Sequence, residues 1–262
     1  MAPETFNLLT EDNIPHLNDA PVSEAILQIR FDSEEDFEIE RLSAAREILS
    51  SKFPNFKEKY STQMSLRFDE AGDQMPTTTA EKDLAGYMAY NDEGTLRVVF
   101  EANSFTFSML PPYSNWLSFK KEAESIWDRC KALYPKVKFT RAALRYINEI
   151  SIPLDENGLL EFDDYLTTPP KFPEQMGESI EGFFSRIVIV LESIKIKVIA
   201  IQSFSEVDPS GFVKVILDND VYREEINDFT ERDLWDLFDT LRDVKNIIFF
   251  SSLTEKAKEH LK

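Results

Sequence analysis

Arginines and carboxylates recur at strand spacing along this chain, and they are the residues best placed to do chemistry. The basic series is Arg30, Arg67, Arg97, Arg145 and Arg186, with Lys195 and Lys197 beyond; Glu24, Glu101, Glu149 and Glu192 fall in the same alternating series. A guanidinium presents a planar fork of donors that matches phosphate or carboxylate. If twist and register align these series, one sheet face becomes an anion-binding surface. Arg30, Arg67, Arg97, Arg145 and Glu149 are then the ligand-binding candidates, for a nucleotide or a phosphorylated metabolite. Carboxylates holding a hard cation would turn such a surface into a metal-assisted phosphohydrolase. The competing reading is a half-solvated antiparallel sheet laced by Arg–Glu pairs between strands. Arg145 and Glu149 stand about 13 Å apart along one strand at ~3.3 Å per residue, so each must find its partner elsewhere.

A second candidate is the acidic stretch from Asp218 to Asp239. It holds nine carboxylates against Arg223 and Arg232. Part of it reads as a helix N-terminus, where the dipole favours negative charge. The remainder suits docking on a basic partner, with Asp220, Tyr222, Glu224, Glu225 and Asp228 as the partner-binding candidates and Phe229 as a further apolar anchor. Asn148 interrupts an otherwise apolar series, and a buried amide must find partners. Fixing a bulge or binding a loop backbone is its expected role.

Several chemistries are unsupported. The chain has no Walker loop, no dinucleotide fingerprint, no HExxH, no EF-hand loop and no GxSxG elbow. Its two histidines, His16 and His260, lie near the termini, and Cys130 is the single cysteine. These exclude an intramolecular disulfide and a Cys/His zinc site, and they fit a reducing cytosol. Cys130 falls in a helical pattern and reads as a buried structural residue. No catalytic residue, metal ligand or cofactor emerges. The net charge of -19 repels nucleic acid. No signal peptide and no apolar run of about 18 residues is present, so no membrane association is expected.

The elements that must position these residues follow from periodicity. Residues 1–20 are polar and read as an extended arm. Alternation predicts a strand over 21–31, and an acidic capping pattern at Ser33 and Asp36 opens a helix over 36–53. Three strands follow, near 61–69, 84–91 and 95–110, then a helix over 115–134 that buries Trp116, Phe119, Ala123, Ile126, Trp127, Cys130 and Leu133. Residues 140–153, TRAALRYINEISIP, form the clearest strand. A helical segment near 159–166, strands near 183–192, 194–205 and 211–219, and a helix capped by Thr230 and Asp233 complete the order. Ser252 with Glu255 marks a last helical turn. The fold expected is α+β: a long, mostly antiparallel sheet with helices on one face. Residues 21–135 and 136–262 each read strand, helix, three strands, helix, as a duplicated unit would.

Two stretches, PVSEAILQIRF near the start and ALRYINEISIP in the middle, carry a resemblance, joined by Phe249 to Thr254 after an aromatic helix. Together they resemble a sporadically distributed bacterial family of uncharacterised proteins. The resemblance implies a bacterial cytosolic protein, with a distribution of the kind that defence or mobile genes show, and it transfers no site. The leading expectation is a non-catalytic interaction or regulatory module that docks a basic protein, as a monomer or dimer. The alternative is a binder, or enzyme, for an anionic ligand on the arginine-bearing face.

Overall fold

Strand β6 (Lys138–Pro153) alternates as its sequence demands: Leu144, Tyr146, Asn148, Ile150 and Ile152 are buried, while Arg145, Ile147 and Glu149 look outward and keep partial exposure. The structure, a computed structural model, describes residues 17, 20–33, 36–67, 77–155, 158, 160–171, 173, 180–204 and 211–261, with the backbone alone at 63–67 and 77–81. The 1–20 arm therefore lies outside the described residues except at Leu17 and Ala20.

Beside β6 lies β1 (Val22–Asp32), paired antiparallel with it. From β1 the sheet runs outward through β5 (Ser104–Met109), β4 (Leu96–Glu101) and β3 (Thr77–Tyr90) to β2 (Asn55–Arg67). From β6 it runs through β9 (Phe212–Glu224) and β8 (Ile196–Phe204) to β7 (Phe183–Leu191). All nine strands of this sheet pair antiparallel. Each half thus sends its first strand to the centre and lays its last strand beside it.

Two long helices cover the apolar face. Helix α2 (Trp116–Cys130) is capped by the Asn115 side chain and buries the stripe expected of it except Leu133, which follows in a 3-10 turn and stays half-buried. It packs on β5, with Phe107 and Phe119 ring centroids 5.2 Å apart. Helix α4 (Glu231–Ser251) opens with the expected Thr230–Asp233 capping box and lies across β6 and β9. Asp239 of α4 accepts from Trp116 Nε1 at 2.8 Å and Lys120 Nζ at 2.7 Å, tying the two helices together. No helix among the described residues is long and apolar enough to cross a membrane.

Several local expectations are corrected. The strand expected over 95–110 is two, β4 and β5, turned at Ala102–Asn103, so four strands follow the first helical segment. That turn carries neither Gly nor Pro, the residues that mark turns most strongly in a sequence. Thr77–Thr79, expected in a loop, begin β3, and β2 starts at Asn55. The helix over 36–53 shrinks to a 3-10 turn (Ile39–Ala44) and α1 (Ala45–Leu49), entered from Glu38 without a side-chain cap. Of the apolar stripe expected there, Leu42, Ala45, Leu49 and Phe53 are buried, while Phe37 and Ile48 stay half-buried. The 159–166 segment is a single turn, α3 (Phe162–Tyr165). The last helix, α5 (Glu255–His260), is capped by Thr254 rather than Ser252.

Gly86 stands beside a register shift in the β2–β3 ladder, where β3 approaches β4 closely. A Cβ there would lie 2.1 Å from the carbonyl oxygen of Phe100, a backbone atom that cannot swing aside. We expect Gly86→Ala to lower stability by about 1–3 kcal/mol, read as a lower urea midpoint at unchanged m-value. A wild-type midpoint would show that the two strands separate without penalty.

Candidate functional site

The face without helices gathers both groups of residues singled out by sequence. Arg30, Arg97, Arg145 and Glu149 lie on it, and so do Asp220, Tyr222 and Glu224 of β9. Arg67 is in β2, with its side chain outside the described residues. Glu225 and Asp228 fall just beyond β9 and are exposed. Positive and negative series pair diagonally across strands. Arg145 donates twice to Asp218, at 2.8 and 2.6 Å, and Asp218 is buried. Arg141 reaches Asp220 at 3.3 Å and lies over the Tyr222 ring at 4.3 Å. Lys214 pairs with Glu149 at 2.7 Å, Lys197 with Glu224 at 2.9 Å, and Lys59 with Glu101. Arg30 donates to Gln28 at 3.1 Å. Burial pushes the Glu101 carboxyl up, but hydrogen bonds from Lys59 and Ser104 outweigh it and hold it low. At Asp220 burial prevails over Arg141 and Arg145, and its carboxyl is held high. In this charge lattice Arg141 and Arg145 are paired, whereas Arg97 and the exposed Arg186 have no carboxylate partner among the described residues.

A different constellation sits under α4, where the two halves meet. A cavity of about 170 Å³ opens between the start of β1, the Tyr113–Trp116 lead into α2, the middle of β6 and the last turns of α4. Tyr146 and Asn148 rise into it from the buried face of β6, while Arg242, Lys245 and Asn246 line it from α4. Tyr113 and Tyr146 share a hydroxyl hydrogen bond of 2.8 Å. Burial pushes the Tyr113 phenol up to about 12 and raises that of Tyr146 as well, so both hydroxyls stay protonated. Asn148 donates to the Leu217 carbonyl at 3.0 Å. Asn219, opposite Tyr146 on the same buried face, has an amide nitrogen with no partner among the described residues.

Lys245 is the unusual group. Its ammonium lies 4.0 Å from the centroid of the Tyr146 ring, and among the described residues no carboxylate pairs with it. Asp243, the nearest acid in sequence, pairs with Arg242 at 2.9 Å. Burial, then the Arg242 cation, push the Lys245 amine down to about 7, against an opposing pull from Asp243. The side chain keeps partial access to solvent, which moderates that shift. A ring face that attracts cations moderates it too. Such a depressed amine in a cavity is a functional-site signature. The α2 N-terminus at the rim adds the positive end of a fifteen-residue helix.

Sequence reasoning saw Asn148 as a polar interruption but missed Lys245 and Arg242. Both lie in a helix whose sequence alternates charge and apolar residues, and nothing in that pattern marks a lysine turned inward. Cys130, expected to be structural, is fully buried, with its thiol pushed up to about 12 by burial. A second, more open groove lies between α2 and α4, lined by Lys120, Arg232, Trp235 and four carboxylates. Among the described residues, no three His, Cys, Asp or Glu side chains gather as metal ligands do.

Two outcomes follow. Removing Asp218 strands a half-exposed guanidinium that water can partly recover, so Asp218→Ala is expected to cost about 1–2 kcal/mol in urea unfolding; an unchanged midpoint would show the pair to be neutral. For Lys245, the folded pKa near 7 lies below the unfolded value of about 10.4. Below about pH 7 the amine is charged in both states and the folded chain carries the whole penalty, which is relieved as pH rises from about 7 to about 10.4. Lys245→Met should therefore be more stable than wild type by about 1–2 kcal/mol at pH 6, with the gap closing toward pH 10. A gap that widens with pH would reverse the sign of this reading.

No family model matches the sequence, and a search of curated proteins finds no match, so the site is read from its own geometry.

Proposed function

We propose that this chain binds a small anionic molecule in the cavity under α4. The observation that carries the reading is the convergence of Lys245 and Arg242 with Asn148, Asn246 and the Tyr113–Tyr146 pair on a cavity of about 170 Å³. Lys245, Arg242 with its Asp243 partner, and a helix N-terminus border the hollow inside a chain of net charge -19. Amides and hydroxyls supply directional donors, and Phe249, Phe250 and Val22 supply apolar wall. Pockets for drug-sized ligands run to about 300–1,000 Å³. This one suits a short carboxylic acid or a phosphate-sized oxyanion rather than a nucleotide.

The anionic ligand foreseen from sequence is thus kept in class and moved to the opposite face of the sheet. On the lattice face, Arg145 is occupied by Asp218 and Arg141 by Asp220. The same pairing weakens the alternative of an acidic dock for a basic protein. Of its five candidate residues, Asp220 and Glu224 pair with cations and Tyr222 stacks under Arg141.

The test is thermal unfolding of the full chain titrated with acetate, orthophosphate and a nucleoside monophosphate. A saturable rise is expected with acetate or orthophosphate, worth about 2.7 kcal/mol at a hundredfold excess over Kd. Arg242→Gln should lose it and Arg145→Gln should keep it. No saturable rise with either anion, or loss in Arg145→Gln alone, would sink the proposal.

A further inference from the structure

The cavity does more than attract charge, because it confronts its occupant with a primary amine. Lys245 has no carboxylate partner among the described residues, and it lies in a wall it shares with the hydroxyls of buried Tyr146 and half-buried Tyr113. A lysine meant only as a counter-ion gains from staying solvated or from a paired acid, and this one has neither in full. We propose that Lys245 forms an imine with a small 2-oxo acid held in this cavity. The inference rests on the anion-binding reading above and names its substrate class.

Each part of a 2-oxo acid meets a suitable group. The carboxylate is the anion that Arg242 and the α2 N-terminus attract. The ketone carbon is the electrophile for Lys245 Nζ. The ketone oxygen is an acceptor for the Tyr113–Tyr146 hydroxyl pair, which burial keeps protonated. In the first step the neutral amine attacks the carbonyl carbon. A C–N bond forms, the π electrons move to oxygen, and oxygen takes a proton while nitrogen loses one. The carbinolamine then expels its hydroxyl as water with one added proton, leaving a protonated imine. The sum is ketone plus amine plus one proton giving iminium plus water, with no oxidant or reductant needed. Among the described residues the charged groups around Nζ are few. Arg242 and Asp243 come from α4 itself, β6 offers the Tyr146 ring, and the lead into α2 offers Tyr113. The start of β1 contributes Ala20, Pro21 and Val22, which carry no side-chain charge. An amine so placed is nucleophilic near neutral pH, whereas surface lysines are almost wholly protonated there.

The experiment is reductive trapping on the full chain. Protein is incubated with pyruvate and sodium cyanoborohydride at pH 6.0, 7.5 and 9.0, then read by intact mass and peptide mapping. The expected result is one adduct per chain, on Lys245, forming about tenfold faster at pH 7.5 than on the average surface lysine. Its rate should rise most steeply around pH 7. Lys245→Arg should abolish that adduct, and Tyr113→Phe should slow it while leaving surface labelling unchanged. Labelling spread evenly over surface lysines, or a Lys245 rate that rises only above pH 9, would overturn the proposal. Acetate protection in thermal unfolding separates the two levels. Protection without trapping removes the imine and leaves anion binding; neither result leaves neither claim standing.

Discussion

Everything in this fold hangs on the ladder between β1 and β6. It is the seam where two strand sets, one of five and one of four, become a single sheet. The ladder is regular through its middle and slips near both ends, between Arg30 and Phe31 and, at the other end, between Val22 and Glu24. There Ser23 donates to the Ile147 carbonyl and Glu149 donates its backbone N–H to Pro21. A bulge bends its strand and re-aims the side chains beside it. Here it brings Pro21 and Val22 over Asn148, which closes one wall of the cavity. The floor of the site is therefore a consequence of how the two halves are joined.

The two faces of the sheet treat charge in opposite ways. On the open face several cations meet a carboxylate from a neighbouring strand, and water shares the remainder. Such pairs are individually weak, but they fix register by penalising slips that would set like charges opposite one another. On the covered face hydrophobic packing does the stabilising, through Phe107, Phe119, Tyr146, Phe238 and their neighbours. Into that face α4 brings Lys245, a group whose burial works against folding. A fold that tolerates such a half-buried residue beside its core draws on stability elsewhere, and sites kept for function commonly show this conflict.

Much of this architecture was legible in the residues. Alternation in QIRF and LRYINEISIP places β1 and β6, because a strand buried on one face must repeat at two. The Thr230–Asp233 box and the stripe from Trp116 to Cys130 give the long helices for equally local reasons. The split between β4 and β5 was not legible, since the turn holds neither Gly nor Pro and its one turn-favouring residue, Asn103, sits inside a long apolar alternation. Register was illegible too. The arginine series and the acidic series read as two sites because nothing local says that Arg145 meets Asp218 or that Arg141 meets Asp220. The cavity was hidden for the same reason: it is assembled from β1, β6, α4 and the lead into α2, and only tertiary packing decides which lysine of an amphipathic helix faces inward.

The position of β1 at the centre also sets a timetable. Ser23 and Ile147, which touch across the seam, are 124 positions apart. At about 5–20 residues per second, a ribosome needs roughly 6–25 s to deliver the second after the first. During that interval β1 can pair with β5, but its other edge, with Leu27 and Ile29 beside it, stays bare. Long-range ladders of this kind are slow to close and are exposed to wrong partners while they wait. The newborn chain thus passes through a stage in which the future middle of its sheet is an open border, and its safe arrival depends on what guards that border in the meantime.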